Sequence, residues 1–193
     1  MRYRHLGASG LEVSEVCFGV MTFGGGEQWQ QVGGLNQSQA DELTALALDR
    51  GINFFDTADI YSFGLSESML GKALGKRCKE AVIATKCGFP MEGGINNDGL
   101  SRRRIIECCE NSLKRLNTDY IDLYQIHSFD FLTPLEETLG TFNMLVRQGK
   151  GRYIGCSNFT GWQLMKAMAI CEKNGGERFV SLQAYYSLVG PGC

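Results

Sequence analysis

Four side chains able to move or hold a proton stand at or just beyond the ends of apolar runs. Ile52 to Phe55 closes on Asp56, and Tyr61 follows. Val82-Ile83-Ala84 leads into Thr85-Lys86, and Ile121 to Ile126 leads into His127. Short apolar runs of this kind read as buried strands whose ends open into polar ground. A buried lysine stays charged when a carboxylate is beside it, so Asp56 is expected to hold Lys86. A free phenol has a pKa of ~10, and an ammonium held close favours the phenolate and makes the phenol a better proton donor. His127 is placed to orient a bound carbonyl oxygen or share its proton. The set suits proton delivery to a carbonyl during reduction, or removal from an alcohol during oxidation. No side chain supplies hydride, so this chemistry needs a nicotinamide cofactor. Ser157 and Asn158, after Tyr153 to Cys156, and Gln183, further on, are candidates to hydrogen-bond its carboxamide. Taken singly, each of these residues has an ordinary structural reading; their recurrence at successive strand ends points to a built site.

Such a rim needs a scaffold of like-directed strands. A hairpin opens the chain, with Tyr3 to Leu6 and Leu11 to Val13 as its arms. Six strand candidates follow: Val16–Val20, Ile52–Asp56, Ala81–Lys86, Ile121–His127, Arg152–Ser157 and Phe179–Gln183. Five amphipathic stretches lie between them. Their predicted starts are Ser38, Ser66, Ser101, a Thr133-Pro134-Leu135-Glu136 capping box and a second box at Thr160-Gly161-Trp162-Gln163. Repeated βα units with right-handed crossovers leave a doubly wound sheet or a (β/α) barrel. Gly24-Gly25-Gly26 lacks the third glycine of a dinucleotide fingerprint, where Trp29 stands, and the chain has no phosphate-loop pattern. The barrel is favoured. Gly24 to Gly34 and Gly88 to Gly99 both follow strand ends, so these loops are expected over the rim, where they would shape a substrate pocket.

Composition narrows the function class. The chain has 193 residues, 44% of them hydrophobic and 21% charged, with a net charge of −2. That balance, with no basic patch interleaved with aromatics, argues against nucleic-acid binding. Arg102-Arg103-Arg104 is expected to be a solvated helix face. No run approaches a membrane span, and the N-terminal residues lack an apolar signal core, so a cytoplasmic protein is expected. Eight cysteines without Cys-x-x-Cys spacing are read as small hydrophobes, with Cys17, Cys87 and Cys156 on strands and Cys109 and Cys171 on apolar helix faces. No metal site is expected.

The chain resembles the aldo-keto reductase family. The matching segments are FGVMTFG (Phe18 to Gly24), GINFFDTADIY (Gly51 to Tyr61), SESMLGKAL (Ser66 to Leu74), VIATKCG (Val82 to Gly88), SLKRLNTDYIDLYQIH (Ser112 to His127), GKGRYIGCSNF (Gly149 to Phe159) and SLQAYYSL (Ser181 to Leu188). They occur in family order along nearly the whole chain. The resemblance implies one barrel domain over residues 1–193, of the (β/α)8 TIM-barrel type, and NADP(H)-dependent reduction of an aldehyde or ketone. By position, Tyr61 is the proton donor, with Asp56, Lys86 and His127 as its partners. Ser157, Asn158 and Gln183 fall where relatives hold the nicotinamide, Asp56 and His127 also lie near that ring in relatives, and Val20 and Met21 match backbone positions under the cofactor. The glycine-rich first loop looks like the bacterial and fungal oxidoreductase branch.

A full barrel of this type takes ~250 residues and eight strands; six are counted here. The resemblance therefore implies a C-terminally truncated barrel. The strand with the ring-stacking aromatic and the groups for the adenosine 2′-phosphate would be missing. The expected consequences are open sheet edges, self-association through them and weak NADPH affinity. Two other readings stay open: a cofactor-binding regulatory module like the potassium-channel β subunits, and an inactive barrel fragment. His127 favours catalysis over the module, because those channel subunits do not carry histidine at that position.

Overall fold

The N-terminal hairpin is present in the computed structural model, which describes residues 1–26, 29, 31–91 and 93–187. Strands β1 (Tyr3–His5) and β2 (Glu12–Ser14) pair antiparallel, with Tyr3 opposite Ser14. The six strands that follow are β3 (Cys17–Gly19), β4 (Phe54–Asp56), β5 (Val82–Cys87), β6 (Ile121–Ile126), β7 (Gly151–Ser157) and β8 (Phe179–Gln183). They form one parallel sheet, ordered as in the chain. The helices α1 (Gln37–Asp49), α2 (Leu65–Leu74), α3 (Arg102–Leu116), α4 (Leu135–Arg147) and α5 (Gly161–Asn174) alternate with these strands. The sheet curls into a half-barrel, an incomplete TIM-type fold with six βα-type strands and a small antiparallel hairpin.

The predicted strands are all found, with bounds shifted by one or two residues. β4 starts at Phe54 rather than Ile52 because Asn53 is drawn to the hairpin: its Oδ1 accepts from the Ser14 amide (2.7 Å) and its Nδ2 donates to the Glu12 carbonyl (3.2 Å). Every residue of β5 and β6 is buried, as expected for central parallel strands covered on both faces. The outer core joins Phe55, Ile83, Tyr124 and Ile154 of the sheet to Leu70, Ile105 and Phe142 of the helices. At Gly71 a Cβ would lie 2.5 Å from the Leu116 carbonyl oxygen, so α2 meets the end of α3 backbone against side. The hairpin turn reaches across the base: a Cβ on Gly7 would overlap the Val180 carbonyl at the start of β8.

Three helix starts differ from the sequence reading. α1 is capped by Asn36, which with Gln39 forms a reciprocal box, and Ser38 lies inside the helix. Ser66 lies within α2, whose N-cap is Gly64; its hydroxyl instead donates to the Val20 carbonyl (2.7 Å) and meets Thr57 Oγ1 (3.0 Å). α4 has Pro134 at its N-cap with no side-chain cap, because the Thr133 hydroxyl is bonded to Asp130 (2.6 Å). Ser101 does cap α3, accepting from the Arg104 amide (3.3 Å), and Gln163 accepts from the Thr160 amide (2.8 Å) at the start of α5.

Two burial expectations are also corrected. Arg102 and Arg103 are solvated, but Arg104 is buried, because it lies two positions beyond Arg102 on the face that α3 turns inward. Cys17 is exposed, since β3 is an edge strand, while Cys87, Cys109, Cys156 and Cys171 are buried; all seven described cysteines are free thiols. Among the described residues no helix is long and apolar enough to cross a membrane, and no group of three or more metal-ligating side chains gathers.

Candidate active site

Asp56 ends β4, Lys86 lies one residue before the end of β5, and His127 follows β6. Parallel pairing brings these ends to one rim. Lys86 is 1% exposed, and its Nζ donates to Asp56 Oδ1 at 2.6 Å and to the Thr57 carbonyl at 2.8 Å. It reaches the Tyr61 hydroxyl at 3.4 Å, and lies 5.0 Å from the centre of the Tyr61 ring. The Tyr61 and His127 rings are 5.8 Å apart, edge to face. The four predicted residues therefore converge. Gln125, which the sequence reading passed over, belongs with them: its Nε2 donates to Asp56 Oδ2 at 3.3 Å. It lies on β6 two residues before His127, so period-two alternation is the available signal.

The turn that carries Tyr61 is strained. Ser62, Phe63 and Gly64 have φ of 49°, 51° and 86°, three left-handed residues in succession. A non-glycine residue there costs of order 1–2 kcal/mol. Ser62 Oγ donates to the Phe23 carbonyl (3.3 Å), tying the turn to the glycine-rich loop. That loop brings Trp29 to 6.1 Å from the Tyr61 ring, edge on. Gly88 to Gly99 contributes Phe89, 4.6 Å from the His127 ring. Both loops thus reach the rim. Burial, with a smaller contribution from the Lys86 charge, lowers the His127 pKa to about 3. The imidazole is neutral across the physiological range, and its Nδ1 is buried without a protein partner.

The remaining predicted residues line the same rim. Ser157 Oγ donates to the Gln183 carbonyl at 3.0 Å, and the Asn158 amide donates to that same oxygen at 3.1 Å. Asn158 Nδ2 donates to the His127 carbonyl (3.0 Å), with Asn158 itself left-handed at φ 56°. Gln183 Nε2 donates to Asp56 Oδ1 at 3.4 Å. Asn158 and Gln183 are both exposed; the Gln183 amide lies beside Asp56, and the Asn158 amide beside the His127 carbonyl. This donor and acceptor set fits a primary carboxamide laid across the strand ends. Val20 is buried, its amide donating to the Asp56 carbonyl (2.9 Å), and Met21 beside it is exposed. Below Asp56 the concave face opens as a hollow of about 230 Å³, lined in part by Cys17, Phe54 and Leu123.

A half-barrel with a carboxylate, ammonium, phenol and imidazole gathered where its parallel strands end defines an enzyme-type (β/α) barrel protein. The chain belongs to the Aldo/keto reductase family, whose sequence pattern matches residues 15–191. It is 41% identical over 209 residues to versiconal hemiacetal acetate reductase of Aspergillus parasiticus, an alignment that covers 98% of this chain and 60% of that protein. It is 43% identical over 205 residues to the uncharacterized oxidoreductase YrpG of Bacillus subtilis (strain 168), covering 98% of this chain and 59% of that one. Aldo-keto reductase AKR11C1 from Bacillus halodurans, solved in its holo form, superposes with a TM-score of 0.78 at 36% identity, over 97% of this chain and 58% of its own. The chain spans about three-fifths of the length of these relatives.

Proposed function

We propose that this chain carries the proton-transfer half of an NADP(H)-dependent aldehyde or ketone reductase. The observation that carries the reading is the contact of the buried Lys86 ammonium with both Asp56 and the Tyr61 hydroxyl. Asp56 keeps the ammonium charged in a dry site. The ammonium then stabilises the negative charge left on the Tyr61 oxygen once its proton moves to the substrate oxygen. His127, neutral by virtue of its burial, is suited to hydrogen-bond that oxygen rather than to compete as the acid. Trp29 and Phe89 supply aromatic walls on either side of the two rings.

A bound nicotinamide supplies the hydride. Ser157, Asn158 and Gln183 would hold its carboxamide, with Asp56 and His127 near the ring. Val20 and Met21 would lie beneath it. Family membership and the holo-form structural neighbour support a nicotinamide cofactor.

The test is turnover of a simple aromatic aldehyde, followed by loss of NADPH absorbance. Tyr61→Phe should lower kcat by about 10²–10⁴-fold, the usual value of a positioned general acid. NADPH binding, read separately by fluorescence titration, should be unchanged. Equal turnover by Tyr61→Phe and the parent would overturn the assignment. NADPH bound without measurable turnover by either would instead favour the cofactor-sensing module.

A further inference from the structure

Beside the Tyr61 turn lies a second polar site with buried charged groups. It is a cavity of about 200 Å³ between the turn, the Gly88–Gly99 loop and α3, lined by Asp59, Arg104, Glu107, Cys108, Asn111 and Arg115, among others. Asp59 is 0% exposed, and neither of its carboxylate oxygens has a hydrogen-bond partner. Arg104 is 5% exposed, and its Nε and Nη2 are likewise buried without partners. Buried polar atoms in folded proteins are nearly always satisfied, so four such atoms on one cavity indicate something that the cavity is built to hold.

The lining groups define its chemistry. Arg104 Nη1 is 3.7 Å from Glu107, an ion pair at the rim of α3 that leaves the other edge of the guanidinium facing inward. That free edge, Nε with Nη2, is the fork that binds a carboxylate through two parallel hydrogen bonds. Arg115 is engaged by the buried Glu67, at 2.6 Å, and by Ser112, at 3.2 Å, and Glu67 also accepts from the Thr85 hydroxyl at 2.5 Å. Counting these pairs as balanced, Asp59 is the odd charge of the cluster. Burial, reinforced by the Glu67 charge, raises its pKa to about 7, with the Cys108 thiol and then Arg115 and Arg104 opposing. The Cys108 thiol acts on Asp59 as a weak hydrogen-bond donor, short of the geometry of a full hydrogen bond. A protonated Asp59 is a donor, as are the Arg104 fork and the Asn111 amide; the one other carboxylate in the lining, Glu107, is taken up by Arg104 Nη1.

We propose that this cavity is a binding site for a small carboxylate, gripped by the free edge of Arg104 beside the unpartnered Asp59. The site borders the chemistry without touching it: the Asp59 amide donates to the Lys86 carbonyl at 3.1 Å, and Tyr61 is two residues on. Occupancy would therefore fix the segment that joins Lys86 to Tyr61. The proposal stands whether or not the rim reduces carbonyls.

The experiment is calorimetric titration of the 193-residue chain with sodium acetate against sodium chloride at matched ionic strength, at pH 6 and pH 8. Saturable binding at one site is expected, about tenfold tighter at pH 6 because ionised Asp59 repels the ligand. Arg104→Gln should abolish binding. Arg104→Lys keeps the charge but lacks the fork, and should weaken it; this variant serves if Arg104→Gln does not give a cooperative melt. Asp59→Asn should bind equally at both pH values. No saturable heat at either pH, meaning a cavity that holds water only, overturns the proposal. So does binding that both Arg104 variants leave intact. Binding that strengthens from pH 6 to pH 8 overturns it too, by showing that Asp59 seats a cation.

Discussion

Lys86 and Asp59 are both buried next to the Tyr61 turn, and the protein deals with their charges in opposite ways. Lys86 has three oxygen neighbours, from Asp56, Thr57 and Tyr61. Asp59 has no hydrogen-bond partner, and burial drives it toward its neutral form. One charge is kept by pairing and the other is given up by holding a proton. The contrast teaches that burial alone does not mark the reactive centre. A group kept charged at the cost of desolvation must be charged to work. A group allowed to neutralise is placed to donate a hydrogen bond, or to respond to pH.

The largest expected effect comes from unpairing the first cluster. Lys86→Met strands the Asp56 carboxylate and should cost about 3–5 kcal/mol, read by urea denaturation. Adding Asp56→Asn should recover part of that stability and none of the turnover. Failure of the second change to recover anything would show that Lys86 acts through packing rather than charge.

The second cluster makes a prediction of opposite sign. The unfolded chain releases the Asp59 proton near 3.8 and the folded chain only at about 7. The folded state therefore loses stability as pH rises through that window, by about 4 kcal/mol above it. Asp59→Asn removes the loss, so the stability advantage of the variant should widen by about that amount between pH 4 and pH 8. A pH-independent difference would erase the contrast between the two sites. The smallest effect belongs to the turn beside them. Ser62→Gly relieves one left-handed residue and gives up a 3.3 Å hydrogen bond to Phe23, so a net gain of about 1 kcal/mol or less is expected in the same assay. A clear loss would make the tie to the glycine-rich loop the stronger term.

The rim was legible because its signals are local. Asp56, Lys86 and His127 each close an apolar run, and parallel strands carry run ends to one side. Gln125 was not, because a glutamine inside a strand has no distinctive chemistry until Asp56 is seen beside it. The helix starts failed where a hydroxyl had better use elsewhere: Ser66 reaches Val20, and Thr133 reaches Asp130. Composition cannot reveal such tertiary claims on a side chain. The Asp59 cavity was hidden for a related reason. Three consecutive arginines read as one solvated face, yet a helix turns 100° per residue, and that rotation puts Arg104 inside while Arg102 and Arg103 stay out.

Sheet order has a consequence for biosynthesis. Because β3 to β8 lie side by side in the sequence of their translation, each βα unit leaving the ribosome meets a finished docking template. The apposition of Gly7 and Val180 is the exception. It joins the N-terminal hairpin to the sixth parallel strand, so it cannot form until Val180 has emerged.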